Sequence, residues 1–246
     1  MIKKQNGSLW IIIVFIIAAL LAVGLFFTGD QVDDEDKTDL GSGDKASELQ
    51  TDGFGDPSLI REPNQDDHIN GSLDAPIIII EYSDTECPFC SRLHKTLGGV
   101  VNDYDGQVAW VYRHLPLQQL HTKSVIEAQA TECASDIGGE EAFWIYINRI
   151  YEITPGNNGL DLNLLPEVAE FAGLSVDDFN TCMKEKRTLG AVEEDFREAI
   201  QVAGSKLGTP LNVVIAPDGT PIPISGALPR ENWDQIISQL LSAQTE

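Results

Sequence analysis

The sequence predicts an α/β domain whose sheet comes from two distant segments, a strand–helix–strand unit and a strand–strand–helix unit, with helices inserted between them. A transmembrane helix precedes the whole. Three observations carry this. Four consecutive isoleucines, Ile77 to Ile80, lead into Cys87-Pro88-Phe89-Cys90 and a helical stretch. Apolar residues then recur at helical spacing between Thr122 and Lys186, and two short strand-like runs, Leu211 to Ala216 and Pro221 to Ser225, follow around Asp218-Gly219. With 246 residues, 42% of them hydrophobic, the chain has room for one good-sized domain plus appendages.

Leu9 through Phe27 is an unbroken apolar or small-residue run that as a helix would span about 28 Å, close to the hydrocarbon thickness of a bilayer. Lys3 and Lys4 precede it, and Asp30, Asp33, Asp34, Glu35 and Asp36 follow, which holds the amino terminus in the cytoplasm. The competing reading is a cleaved signal peptide ending at Ala22-Val23-Gly24, but the apolar run continues through Leu25, Phe26 and Phe27. The expected division is therefore a cytoplasmic end at 1–8, an anchor at 9–28, an acidic disordered linker at 29–65 and a folded domain at 66–246. In the linker Phe54, Leu59 and Ile60 are scattered apolar exceptions that offer no core, and self-repulsion keeps the segment extended. The net charge of -23, with no basic stripe, argues against nucleic acid as a partner.

Order begins at Asp67-His68-Ile69-Asn70-Gly71-Ser72, and the turn Asp74-Ala75-Pro76 opens a strand from Ile77 to Tyr82 buried on both faces. A helix from the dithiol to Val101 and a second strand, Gln107 to Arg113, complete a right-handed parallel unit. Helices are expected at Thr122–Asp136, Glu140–Ile153, Leu162–Ala172 and Val176–Lys186, broken at Gly138-Gly139, at 154–159 and at Gly173, with Ser175 as an amino-terminal cap. A further helix spans Ala191 to Ala203. Gly208-Thr209-Pro210 then introduces the last two strands, paired as a hairpin, and Leu228 to Leu241 closes the chain as a helix that buries Trp233, Ile236, Ile237, Leu240 and Leu241. Trp110, Trp144 and Trp233 sit at core spacing.

A CxxC is ambiguous between redox chemistry and half a zinc site, and its position at a strand-to-helix switch favours redox. A helix start favours a thiolate, which assigns Cys87 as the attacking sulfur and Cys90, one turn inside, as the resolving one. Pro88 suits the first helical turn. His68, His94, His114 and His121 have no pair at zinc-ligand spacing and there is no second CxxC, so no metal is expected. Cys133 and Cys182, each among apolar neighbours, are either a structural disulfide, favoured in an oxidising compartment, or two free buried thiols.

The element order, together with Asp67-His68, Glu81-Tyr82-Ser83-Asp84, Cys87-Pro88-Phe89-Cys90, Arg113-His114-Leu115-Pro116-Leu117 and Gly208-Thr209-Pro210, resembles the DsbA-like family, a thioredoxin-like fold with a helical insertion, here about 119–188. The resemblance covers Asp67 to the carboxyl end and looks most like membrane-anchored bacterial members. It implies a protein thiol–disulfide oxidoreductase without a separate cofactor, the redox-active disulfide Cys87–Cys90 carrying the electrons. It implies that Pro210 follows a cis peptide bond and that Pro88, Phe89, Thr209 and Pro210 meet the substrate, the Thr209 backbone pairing with an extended chain. The other reading of Pro210 is an ordinary strand-initiating proline. Glu81 stands where the family carries an acid beneath the dithiol, able to exchange a proton with Cys90; the alternative is a strand-end glutamate in solvent.

The implied partners are exported unfolded proteins and a quinone-linked membrane reoxidase, DsbB-like or vitamin K epoxide reductase-like. A dithiol oxidase is the leading expectation. An isomerase or reductase of the same fold, or a non-catalytic binding or metal-delivery module, are its rivals. Phe89 offers no cation to a Cys87 thiolate and Glu86 beside it is unfavourable if its carboxylate is near, so a moderate oxidant is expected.

Overall fold

The structure, a computed structural model, describes residues 53–243. The expected cytoplasmic end and anchor, and the linker as far as residue 52, lie outside the described residues. Among those described, no helix is long and apolar enough to cross a membrane.

The chain runs β1 (His68–Asn70), β2 (Ile77–Ser83), α1 (Pro88–Asp103), β3 (Val108–His114), α2 (Ser124–Ile153), α3 (Leu165–Phe171), α4 (Val176–Glu185), α5 (Leu189–Ala203), β4 (Leu211–Ile215), β5 (Pro221–Ser225) and α6 (Arg230–Ala243). The five strands form one sheet in the order β1-β3-β2-β4-β5. β2 and β3 are parallel and the remaining pairs antiparallel. β2 is central, which its β-branched run suits, whereas β5 carries Pro221 and Pro223 on an edge, where missing amide donors are tolerated.

The period of two sorts β2 onto two cores. Ile77 and Ile79 face Leu93, Leu97, Phe143, Ile147, Tyr151, Trp233 and Ile237 of α1, α2 and α6. Ile80 and Tyr82 face Ala199, Val202 and Ala203 of α5. Glu81 shares the parity of Ile77 and Ile79, and that alone places a carboxyl beneath α1. A third cluster fills the insertion, where Cys133 and Cys182 are joined by a disulfide with Cα atoms 5.9 Å apart.

The helices expected at 122–136 and 140–153 are the two halves of α2, broken where expected, at Gly139, which takes φ 74°. Two other expectations need correction. The sequence reading had no strand at His68–Asn70, yet this segment pairs antiparallel with Trp110, Val111 and Tyr112. The linker also ends earlier than expected. Residues 53–65 lie along α5, with Gly55 N donating to Val202 O at 2.9 Å and Ser205 N to Gly53 O at 2.9 Å. Phe54 and Ile60 pack into the α5-side core. Composition missed this because two apolar side chains need no core of their own when they complete a face that the sheet and α5 already present. Glycine is required at 55, since a Cβ there would stand 1.9 Å from Gln201 O.

Candidate active site

The loop from β2 to α1 is shaped by Asp84. Its carboxylate accepts from the amides of Glu86 (2.9 Å) and Leu117 (2.8 Å) and lies 2.9 Å from His121 Nδ1, while its carbonyl accepts from Cys87 N at 3.0 Å. Burial raises the Asp84 pKa against these contacts. Cys87 thereby becomes the N-cap of α1, with Pro88 in the first turn, where a missing N–H costs nothing.

Cys87 and Cys90 are both free thiols here. Cys87 is 5% exposed and Cys90 fully buried, flanked on the outside by exposed Pro88 and Phe89. Hydrogen bonding from the Cys90 thiol lowers the Cys87 pKa to about 6, helped by the amides of Cys90 and Phe89 and opposed by burial. Burial pushes Cys90 the other way, and the neighbouring Cys87 and Glu81 add to it. The two sulfurs are thus pushed apart, Cys87 toward the thiolate and Cys90 toward the thiol. The Thr209–Pro210 bond is cis, and Cys87 Sγ donates to Thr209 O at 3.4 Å. Pro210 itself is buried.

Glu81 is fully buried, not in solvent. Its Oε1 accepts from Ser83 Oγ at 2.7 Å, and its Oε2 has no hydrogen-bond partner. The indole of Trp110 is near, yet its N–H is also without a partner in good geometry. Burial raises the Glu81 pKa to about 8, Ser83 and Trp110 opposing and Cys87 adding. Ser83 links the carboxyl to Tyr151 OH at 2.9 Å, and Tyr151 OH stands 3.3 Å from Tyr112 OH.

Glu86 corrects the sequence reading. It is buried, and its oxygens accept from Gly159 N (3.1 Å) and Leu160 N (3.2 Å), while its carbonyl accepts from Asn157 N at 2.7 Å. Its charge is spent on holding the 154–160 loop against the dithiol. Glu127 of α2, which the sequence reading missed, is buried alongside it. Thr85 Oγ1 donates to Glu127 Oε2 at 2.7 Å, and burial followed by Glu86 raises the Glu127 pKa. Its only sequence signal was a charge among apolar helix positions, the same as any exposed glutamate.

Phe89 is 56% exposed with the Arg92 guanidinium 5.0 Å from its ring centre. The Cys133–Cys182 bridge lies in the insertion core, apart from the dithiol cluster. The histidines do not gather at the dithiol as metal ligands. His94 is buried against Trp110 and Tyr151 with a pKa lowered to about 4 by burial, and His121 is held by Asp84.

A family model described as thioredoxin matches residues 63–218. Among solved structures, Pseudomonas aeruginosa DsbA2 is 27% identical with a TM-score of 0.60, covering 72% of this chain and 95% of that one. Wolbachia pipientis alpha-DsbA1 is 23% identical with a TM-score of 0.64 over 76% of this chain and 96% of that one. Oxidised BdbD from Bacillus subtilis is 17% identical with a TM-score of 0.61 over 77% and 97%. A curated relative, Na(+)/H(+) antiporter NhaA 1 of Mycolicibacterium vanbaalenii, is 30% identical over 140 residues, 56% of this chain and 22% of its own length. The chain spans about a fifth of the length of the curated relatives it matches.

Proposed function

The chain belongs to the thioredoxin family as a DsbA-like thiol–disulfide oxidoreductase, and from that premise we propose that it works mainly as a dithiol oxidase, donating the Cys87–Cys90 disulfide to exported proteins. The observation that carries this reading is the Cys87 sulfur at a helix start, its pKa lowered to about 6 by the Cys90 thiol, 3.4 Å from the carbonyl that precedes cis-Pro210.

In the oxidising direction a substrate thiolate attacks Cys87 Sγ, the Cys87–Cys90 bond breaks, and the electron pair leaves on Cys90. Cys90 is a poor place for negative charge, and Glu81, a buried acid whose pKa is raised to about 8, supplies a proton to it. A second substrate thiolate then attacks the substrate sulfur of the mixed disulfide, and Cys87 departs as the stable thiolate. Two electrons rest on the enzyme and the substrate gains a disulfide. No separate cofactor enters. The Thr209 backbone and exposed Phe89 hold the substrate chain, the first by main-chain hydrogen bonds that accept many sequences.

In this reading Leu9 to Phe27 anchors the domain on the outer face of a membrane, and a quinone-linked membrane protein, DsbB-like or vitamin K epoxide reductase-like, accepts the electrons. The test is the reduction potential of Cys87–Cys90 in the full chain, paired with oxidation of a reduced unfolded substrate. A potential well above roughly -270 mV with substrate oxidation supports the oxidase. A potential at that value without oxidation turns the assignment to a reductase.

A further inference from the structure

Away from the dithiol, three side chains that the sequence keeps far apart meet where β1, β3 and α2 join. One ligand atom each from His68, His114 and Glu132 falls within 4.8 Å of the others. Both imidazole Nε2 atoms converge on Glu132 Oε1, at 2.9 Å from His68 and 3.0 Å from His114. His68 Nδ1 lies 3.0 Å from Glu140 Oε2, and its ring is stacked on Phe143 with centres 3.4 Å apart.

We propose that His68, His114 and Glu132 form a binding site for a divalent transition metal ion of zinc-like chemistry, with a further coordination position facing a polar cavity. Two imidazole nitrogens and one carboxylate oxygen are a donor set that zinc accepts, leaving room for water. A tetrahedral ion with bonds near 2.0–2.1 Å needs donors about 3.3 Å apart, so the two His–Glu132 separations must open by a few tenths of an ångström while the two imidazole nitrogens, within 4.8 Å of one another, settle to the same spacing. Glu140 is already placed on the outer nitrogen of His68, as the carboxylates behind metal-bound histidines are. The ring position is fixed further by Phe143.

His68 and Glu132 also border a cavity of about 270 Å³ whose wall includes Asp66, Asp67 and Asp195. Two guanidinium groups stand near, Arg61 engaged with Asp67, Glu194, Asp195 and Glu198 and Arg113 with Asp67 and Glu198, and the carboxylates around them outnumber them, which leaves the local field favourable to a metal. Bound metal would clamp β1 and β3 to α2, the helix that carries Glu127 to the loop behind the dithiol.

Without metal the same atoms form a hydrogen-bonded trio, and the experiment separates the two. The full chain is first oxidised so that Cys87 and Cys90 offer no thiolate, then titrated with zinc in a large excess of magnesium, which occupies the acidic surface. The expected result is one equivalent of zinc bound, with a rise in melting temperature. Cobalt(II) should give visible d–d bands without a sulfur charge-transfer band. His68→Gln and Glu132→Gln should each weaken zinc by more than the ~10–100-fold that loss of an outer partner costs. Neither should move the Cys87–Cys90 potential. In the unsubstituted chain, two of the four histidines should shift in the imidazole NMR spectrum. Absence of zinc binding over magnesium, affinity unchanged in both variants, or a sulfur charge-transfer band overturns the proposal.

Discussion

Replacing Glu81 with glutamine should make the protein more stable at alkaline pH while slowing its chemistry. Glu81 is fully buried with one hydrogen bond, from Ser83, and its pKa is raised from 4.5 to about 8, chiefly by burial. In the unfolded chain the carboxyl loses its proton near 4.5, whereas the folded protein keeps it until about 8. The stability contributed by the neutral carboxyl is therefore fully present below the lower value and is lost as pH rises through the upper one. Between about pH 5 and about pH 8 the loss comes to about 3.5 kcal/mol at ~1.4 kcal/mol per pKa unit, and relaxation of the buried site brings the expectation to roughly 2–4 kcal/mol. Glu81→Gln is neutral throughout and escapes this slope, though its amide adds a buried donor without a partner, costing about 1–3 kcal/mol at every pH.

The assay is urea unfolding of the oxidised protein, wild type and variant, at both pH values, so that no thiol titrates. The variant should gain on the wild type by roughly 2–4 kcal/mol across the interval. In parallel, its exchange rate with a reduced substrate should fall and lose the pH dependence that Glu81 imposes. A stability difference constant with pH would refute the elevated buried acid, and an unchanged rate across pH would rule out proton transfer by it.

Alkylation of Cys87 by iodoacetamide in the reduced protein should show a midpoint near pH 6, reactivity falling as pH drops through it, and Cys90→Ala should move the midpoint upward by removing the main donor. Deleting the insertion bridge with Cys133→Ala and Cys182→Ala together should cost at most about 4 kcal/mol, the loop-closure value for its 49-residue separation, with the Cys87–Cys90 potential unchanged; urea unfolding and a glutathione equilibrium read the two. Glu86→Gln removes the charge from the acceptor of the Gly159 and Leu160 amides and should cost about 1–2 kcal/mol, with faster proteolysis within 154–160 and a higher KM. Unchanged proteolysis would show that Glu86 does not hold this loop.

What the sequence disclosed were features written in consecutive residues. The apolar run that opens the strand Ile77–Tyr82, the cap at Ser175, the break at Gly139 and the turn at Gly219 depend on neighbours a few positions away, and each has its structural counterpart. What it concealed depended on residues brought together by the sheet and insertion. Glu86 looked like a charge beside the thiol because the amides that hold it belong to residues 159 and 160. His68 and His114 have no zinc-ligand spacing and Glu132 drew no notice, because three different elements deliver them. Phe54 and Ile60 were lost in an acidic composition because their packing partners lie on α5 and the sheet.

The expectation of a moderate oxidant rested on Phe89 and Glu86, and the geometry changes the weight of both. Glu86 faces backbone amides and so adds little repulsion at Cys87. Phe89 contributes no cation, yet its own amide, with that of Cys90, already supports the sulfur. The first support of the Cys87 thiolate is the Cys90 thiol, and that proton does not exist in the oxidised enzyme, where both sulfurs are bonded to each other. It appears only when the disulfide opens. An interaction absent from the reactant and present in the product adds its whole strength to the driving force for accepting electrons, whereas helix amides act on both states and add only the difference. The proton on Cys90 is in turn kept there by burial, and in the proposed reaction Glu81, also buried with a raised pKa, supplies it. The oxidising strength of this dithiol is therefore set less by the two residues between the cysteines than by the dry, acid-bearing floor beneath the second one.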